Sequence, residues 1–113
     1  MEPVLTENLT QELRRGTLTL CVLGALRTPL YGYLLQQQLA EAGIAIEQNT
    51  LYPLLRRLEK QGLLESIWNV EESRPRRYYQ TNAKGLQALE ELATAWREMN
   101  RAVQAIIVKE ERV

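Results

Sequence analysis

Residues 49–64, NTLYPLLRRLEKQGLL, constrain the fold more than any other stretch of this 113-residue chain. At 100° per residue, Leu51, Leu54, Leu55 and Leu58 gather on one narrow helical face, and Gly62 supplies the stop. With Thr50 as the N-cap, Pro53 falls within the first turn, where a missing N–H costs no intrahelical bond. The opposite face then carries Asn49, Pro53, Arg56 and Lys60, flanked by Tyr52 and Arg57. The leucines are therefore core, and the outward face is a basic and polar stripe with an aromatic edge.

Helix signals also fill the first part of the chain. Leu5, Leu9 and Leu13 recur every fourth residue and lead into the dense run Leu18, Leu20, Val22, Leu23 and Leu26, which predicts a first helix that is mostly buried. Thr28 and Pro29 have the form of an N-cap and first helical residue, and Gly43 that of a left-handed stop, predicting a second helix of about four turns. Its inward residues are Leu30, Leu34, Leu35 and Leu39, with Gln36, Gln37 and Glu41 toward water.

Beyond the basic helix, residues 64–70 and 76–81 are short and rich in strand-favouring side chains, and the polar, proline-containing segment 71–75 separates them. A β-hairpin is predicted. Its turn and second arm concentrate Arg74, Arg76 and Arg77 beside Tyr78 and Tyr79, while Trp68 on the first arm reads as a packing residue. Asn82 has the form of an N-cap for a final helix. That helix carries Leu89, Leu92, Trp96, Met99, Val103 and Ile106 at a strict 3-4-3-4-3 spacing, a single long apolar seam. A terminal helix of a small domain cannot bury all of that seam alone, and the simplest cover is a second copy of the chain meeting it across a two-fold axis. The predicted class is mainly α with a small β-hairpin. It comprises a winged helix-turn-helix over residues 1–81 and a dimerisation helix over residues 82–113 packed on the N-terminal helix.

Fourteen basic residues balance fourteen acidic ones, so affinity for nucleic acid must come from local segregation of charge. Arg56, Arg57, Lys60, Arg74, Arg76 and Arg77 supply it from two consecutive elements. A helix presenting these side chains with Asn49, Thr50, Tyr52 and Pro53 fits a major groove about 12 Å wide, where arginine pairs bidentately with guanine, while the hairpin grips phosphates. The bland alternatives are a solvated helix face, Asn49 or Thr50 as a cap, and Tyr52 packing on the hairpin. The predicted partner is double-stranded DNA, and the competing function is a winged-helix module that binds protein and needs neither Arg56 nor Arg77.

Catalysis is poorly provided for. The chain has no histidine, one cysteine and no glycine-rich phosphate loop, so no metal site, cofactor or enzyme activity is expected, and Glu59 and Glu65 carry no mark of a catalytic pair. Cys21 lies in the apolar run and reads as a small buried hydrophobe. The longest apolar stretch is about half a membrane span, and Met-Glu-Pro-Val-Leu lacks the basic region of a secretion signal, which predicts a cytoplasmic protein without a membrane partner.

Three stretches resemble the PadR-like transcriptional regulators: Tyr31-Gly32 opening the second helix, TLYPLLRRLEKQGLL over residues 50–64, and RPRRYYQTNAKG over residues 74–85. Together they span most of the chain, and the second is the specific one. The resemblance implies a dimeric repressor built from a winged helix-turn-helix and a C-terminal dimerisation helix, here of the short subfamily with one such helix. The pattern departs at Thr81-Asn82, where leucine-threonine commonly follows the paired tyrosines, and this puts the last packing contact of the wing in question. Tyr31 and Gly32 read as structural, or at most as phosphate-positioning. Multidrug-binding members of the family resemble this chain in having a tryptophan at the place of Trp96, where two copies flank a pore and stack flat aromatic drugs. The resemblance therefore also implies a pocket for a small planar hydrophobic effector, lined by Leu9, Leu13, Leu92, Trp96 and Met99. The seam by itself implies only an interface.

Overall fold

The leucine face of residues 49–64 lies at the centre of the core. A computed structural model of the protein, describing residues 3–71 and 73–108, contains α1 (Pro3–Ala25), β1 (Leu30–Tyr31), α2 (Gly32–Glu41), α3 (Gln48–Lys60), β2 (Leu64–Asn69), β3 (Arg76–Thr81) and α4 (Ala83–Val108). Leu51, Leu54, Leu55 and Leu58 of α3 pack against Val22, Leu23 and Leu26, against Leu35 and Leu39 of α2, and against Leu30, Leu64 and Tyr79 of the sheet. The fold is therefore mainly α with a small antiparallel sheet. That sheet has the order β1-β3-β2, one strand more than the predicted hairpin.

The additional strand corrects the reading of the second helix. Thr28 and Pro29 do not begin it, because Leu30 and Tyr31 run extended and pair with Tyr79 and Tyr78 of β3. Burying Leu30 against the sheet outweighs the local cap signal, so α2 starts at Gly32 and is about three turns long rather than four. Its Tyr31 N-cap makes no side-chain capping bond. Gln36 also departs from expectation: it turns inward and donates from Nε2 to the Ile46 carbonyl at 2.8 Å, which fastens the turn between α2 and α3.

That turn decides where α3 begins. Gly43 at φ +103° ends α2 in a Schellman motif, with Ile44 N–H donating to the Leu39 carbonyl at 2.7 Å, and Gly62 at φ +81° ends α3 in the same way through Leu63 and Leu58. Thr50 is not the N-cap. Glu47 holds that position, its carbonyl accepting from Thr50 and Leu51 N–H at 3.0 and 2.9 Å, so Pro53 lies in the second turn and removes one helical donor. The helix nevertheless continues past Pro53, which lies on its exposed side.

α1 is buried only towards its C-terminal end, at Val22 and Leu23, whereas Val4, Leu5, Leu9 and Leu13 are exposed, Leu13 at 77%. The expectation of a mostly buried first helix therefore fails over its N-terminal half, where the described residues of the single chain supply no cover. Trp68 is likewise 60% exposed on β2 instead of packed.

The departure at Thr81-Asn82 forms a joint. Thr81 is buried, its N–H donates to the Leu26 carbonyl and its Oγ1 to the Leu23 carbonyl, each at 2.8 Å. These bonds satisfy carbonyls in and just beyond the last turn of α1. Asn82 caps α4 as expected, with Oδ1 accepting from Gly85 N–H at 2.8 Å, and its Nδ2 donates to the Gly62 carbonyl. From this joint α4 packs along α1. Among the described residues no helix is long and apolar enough to cross a membrane.

Candidate nucleic-acid interface

With its leucines committed to the core, α3 turns Asn49, Thr50, Pro53, Arg56, Arg57 and Lys60 to solvent. Since Glu47 is the N-cap and makes no side-chain capping bond, neither Asn49 nor Thr50 is occupied in capping. Arg57 and Lys60 stand in the last helical turn, where the carbonyl ends favour positive charge. Tyr52 is half-buried beside Gly32: a Cβ added there would lie 2.7 Å from Tyr52 Oη. Gly32 thus lets Tyr52 of α3 approach the start of α2, in keeping with the structural reading of this glycine.

The hairpin sorts its arginines by the two-residue period of a strand. Arg77 shares a face with the buried Tyr79 and Thr81, and so points toward α3. Its Nη2 lies 2.8 Å from Glu59 Oε1, its Nε donates to Ser66 Oγ at 3.0 Å, and Ser66 in turn hydrogen-bonds Glu59 Oε2. The guanidinium also lies 5.4 Å from the Tyr79 ring centroid. Arg76 shares the other face with Tyr78. Its guanidinium stacks 4.4 Å from the Tyr31 ring, which meets Tyr78 edge-on at 5.4 Å. Arg74 is exposed in the turn between the strands.

Two kinds of basic residue result. Arg56, Arg57, Lys60 and Arg74 are exposed, whereas Arg76 and Arg77 are half-buried and held by aromatic rings, and Arg77 by a carboxylate as well. Glu59 and Ser66 were absent from the sequence-derived site. Strand alternation could have found them, because inward positions for Tyr79 and Thr81 force Arg77 inward, where it needs an acceptor on α3 or β2. Burial pushes the Tyr79 phenol above its ordinary range, with the Arg77 charge opposing it.

The seam residues of α4 divide as well. Leu89 packs on the chain's own core, while Leu92, Trp96, Met99, Val103 and Ile106 are exposed, from 39% at Leu92 to 72% at Ile106. Leu9 and Leu13, the other residues of the expected pocket, are also exposed in the single chain.

Known proteins with this arrangement agree with one another. A family model described as the transcriptional regulator PadR-like family matches residues 20–91. The chain is 37% identical over 94 residues to the transcriptional regulator Rv3488 of Mycobacterium tuberculosis, across 82% of this chain and 88% of that one. Among solved structures, a PadR family transcriptional regulator from Eggerthella lenta superposes with a TM-score of 0.85 at 48% identity, covering 91% of this chain and 92% of that one. A PadR-like transcriptional regulator from Bacillus cereus gives a TM-score of 0.77 at 30% identity, covering 85% and 96%.

Proposed function

The chain belongs to the PadR-like family of transcriptional regulators, DNA-binding proteins and not enzymes, and from that premise we propose that it is a repressor that binds a pseudo-palindromic operator as a homodimer. The observation that carries this reading is the exposed polar and basic face of α3, joined to the wing formed by β2 and β3 through Arg77 and Glu59. α3 is the recognition helix. Asn49, Thr50, Tyr52, Pro53, Arg56, Arg57 and Lys60 meet the major groove, Arg74 and Arg76 contact flanking phosphates, and Arg77 fixes the angle of the wing against the helix.

α4 is the dimerisation helix, with Leu92, Trp96, Met99, Val103 and Ile106 meeting the same residues of a second copy and Leu89 closing the inner end; residues 109–113 of the expected span lie outside the described residues. Two-fold symmetry then sets the recognition helices roughly 34 to 36 Å apart, one turn of the duplex. A planar hydrophobic effector between the two Trp96 side chains, bordered by Leu92, Met99, Leu9 and Leu13, shifts that spacing and releases the operator. The exposure of these five side chains in the single chain supports this reading.

Selection of bound duplexes from a random library at near-physiological salt tests the proposal, because such salt suppresses binding that rests on phosphates alone. An enriched pseudo-palindrome is expected; a folded dimer that enriches no sequence would overturn it. The effector is tested separately by titrating planar dyes against the fluorescence of a Trp68→Phe variant, whose remaining tryptophan is Trp96. Absence of quenching at micromolar dye removes the pocket and leaves the operator reading intact.

A further inference from the structure

The basic surface beside the recognition helix does not end at the wing. A cleft of about 470 Å³ separates α1 from the start of α3, lined by Gln11, Arg14, Arg15 and Leu18 on one side and by Ile46 and Thr50 on the other. The four α1 residues stand at i, i+3, i+4 and i+7, a single helical stripe. Leu18 of this stripe packs on the core, as does Val22 one turn further on, but the stripe turns polar and basic at Arg15, Arg14 and Gln11, where α1 runs past the turn before α3. Both arginines are exposed, and among the described residues neither forms an ion pair, in contrast to Arg77. Glu47 also borders the cleft, so the arginines outnumber the carboxylates there by one. The opposite wall includes Thr50, which belongs to the proposed DNA-contacting face.

We infer that Arg14 and Arg15 extend the DNA interface beyond the helix-turn-helix and wing, neutralising backbone phosphates that flank the recognition helix on the side of its N-terminus. The inference rests on the DNA reading above and adds a contact outside residues 20–91, the stretch matched by the family model. The occupant is the duplex backbone because the cleft is continuous with the proposed groove-facing surface and carries two exposed guanidiniums at one end of it. Phosphate contacts position a protein without reading sequence, so these arginines add affinity and salt dependence but not base preference.

The test is the salt dependence of binding to the selected duplex, compared between the parent protein, Arg14→Ala/Arg15→Ala, and the charge-matched Arg97→Ala/Arg101→Ala on α4. Each lost phosphate contact lowers the slope of log affinity against log salt by about 0.9, and each of the two subunits loses two, so the α1 variant is expected to lose about 4 from the slope and the α4 variant none. The α1 variant should weaken by the same factor on the operator and on unrelated duplexes, and should select the same operator. Unchanged slope and affinity in the α1 variant, with Arg56→Ala weakening the same duplex, overturns the inference and leaves the DNA reading standing. Equal losses in both charge variants also overturn it, by showing an effect of bulk charge. A parent protein that binds no duplex overturns the DNA reading itself. Circular dichroism of each variant establishes that the fold is retained.

Discussion

Arg77 reaches back eighteen residues from the wing to hold Glu59 of the recognition helix, with Nη2 and Oε1 2.8 Å apart. Ser66 bonds to both partners and closes a three-residue loop across α3, β2 and β3. Pairing of β1 with β3 holds the hairpin at its base, and this loop adds a side-chain tie from both of its strands to α3 that bears on the angle between wing and helix. The wing and the helix must reach the same duplex together, so that angle is part of the binding surface.

The strength of the link follows from its exposure. The Arg77 and Glu59 side chains are 38% and 28% exposed, so solvent screens the pair and its value is that of a well-oriented surface bridge, not a buried one. A double-mutant cycle of Glu59→Ala and Arg77→Ala, read by urea denaturation, is expected to give a coupling of about 1 kcal/mol. Arg77→Lys should recover little of it, since one ammonium cannot reach Glu59 and Ser66 in the same fork. A coupling indistinguishable from zero would mean that strand pairing alone sets the wing angle.

Thr81 makes a stronger prediction because it is buried. Its hydroxyl satisfies the Leu23 carbonyl, which in the last turn of α1 has no helical donor ahead of it. Thr81→Val keeps the shape and removes the donor, and should destabilise the fold by about 1 to 2 kcal/mol. Thr81→Ser should cost clearly less, as it keeps the bond and loses one methyl. Equal losses for the two variants in thermal or urea unfolding would show that packing, not the hydrogen bond, makes the joint.

The features visible in the sequence were local ones. The Leu51, Leu54, Leu55 and Leu58 face, the stops at Gly43 and Gly62, the hairpin arms and the Asn82 cap each depend on residues within a few positions of one another, and each appears in the structure. Thr28-Pro29 misled because a tertiary pairing, Leu30 with Tyr79, outweighed a sound local cap signal. Thr50 misled for a related reason: the glycine turn and the bond from Gln36 to Ile46 place the helix start at Gln48, whatever side chain stands ready to cap it. The Glu59–Arg77 pair was out of reach of periodicity, which sorts residues onto faces without saying which faces meet. Periodicity likewise marked Leu5, Leu9 and Leu13 as apolar without saying whether this chain or another covers them.

Alkaline pH should unfold this protein sooner than neutral pH. Burial pushes the Cys21 thiol above its ordinary value of 9.0 and the Tyr79 phenol above 10.0. With the folded pKa raised, each group keeps its proton in the native state at a pH where the unfolded chain has released it. Its contribution is therefore complete below the unfolded value and is lost as pH rises through the folded one. Urea midpoints should be level up to about pH 8.5 and fall from about pH 9 upward, first through Cys21 and then through Tyr79. In Cys21→Ala the early part of that fall should be absent. A Cys21→Ala curve that declines in parallel with the parent would place the early loss on another group.

The α4 seam gives the prediction on which the dimer depends. Met99 and Val103 are exposed in the single chain and lie outside its own core cluster. Met99→Glu combined with Val103→Glu should thus leave each subunit folded while setting like charges against the partner helix. Sedimentation should then show a monomer with unchanged helical circular dichroism. Operator affinity should fall by at least about 10²-fold, because two recognition helices no longer act as one linked pair. Single half-site binding should persist, since α3 and the wing belong to one chain. A variant that remains dimeric would show that the subunits meet elsewhere, and the effector pocket between the two Trp96 side chains would be lost with the seam. A variant that is monomeric yet binds the full operator undiminished would instead separate dimerisation from recognition, and the pseudo-palindrome would no longer follow from the symmetry of the protein.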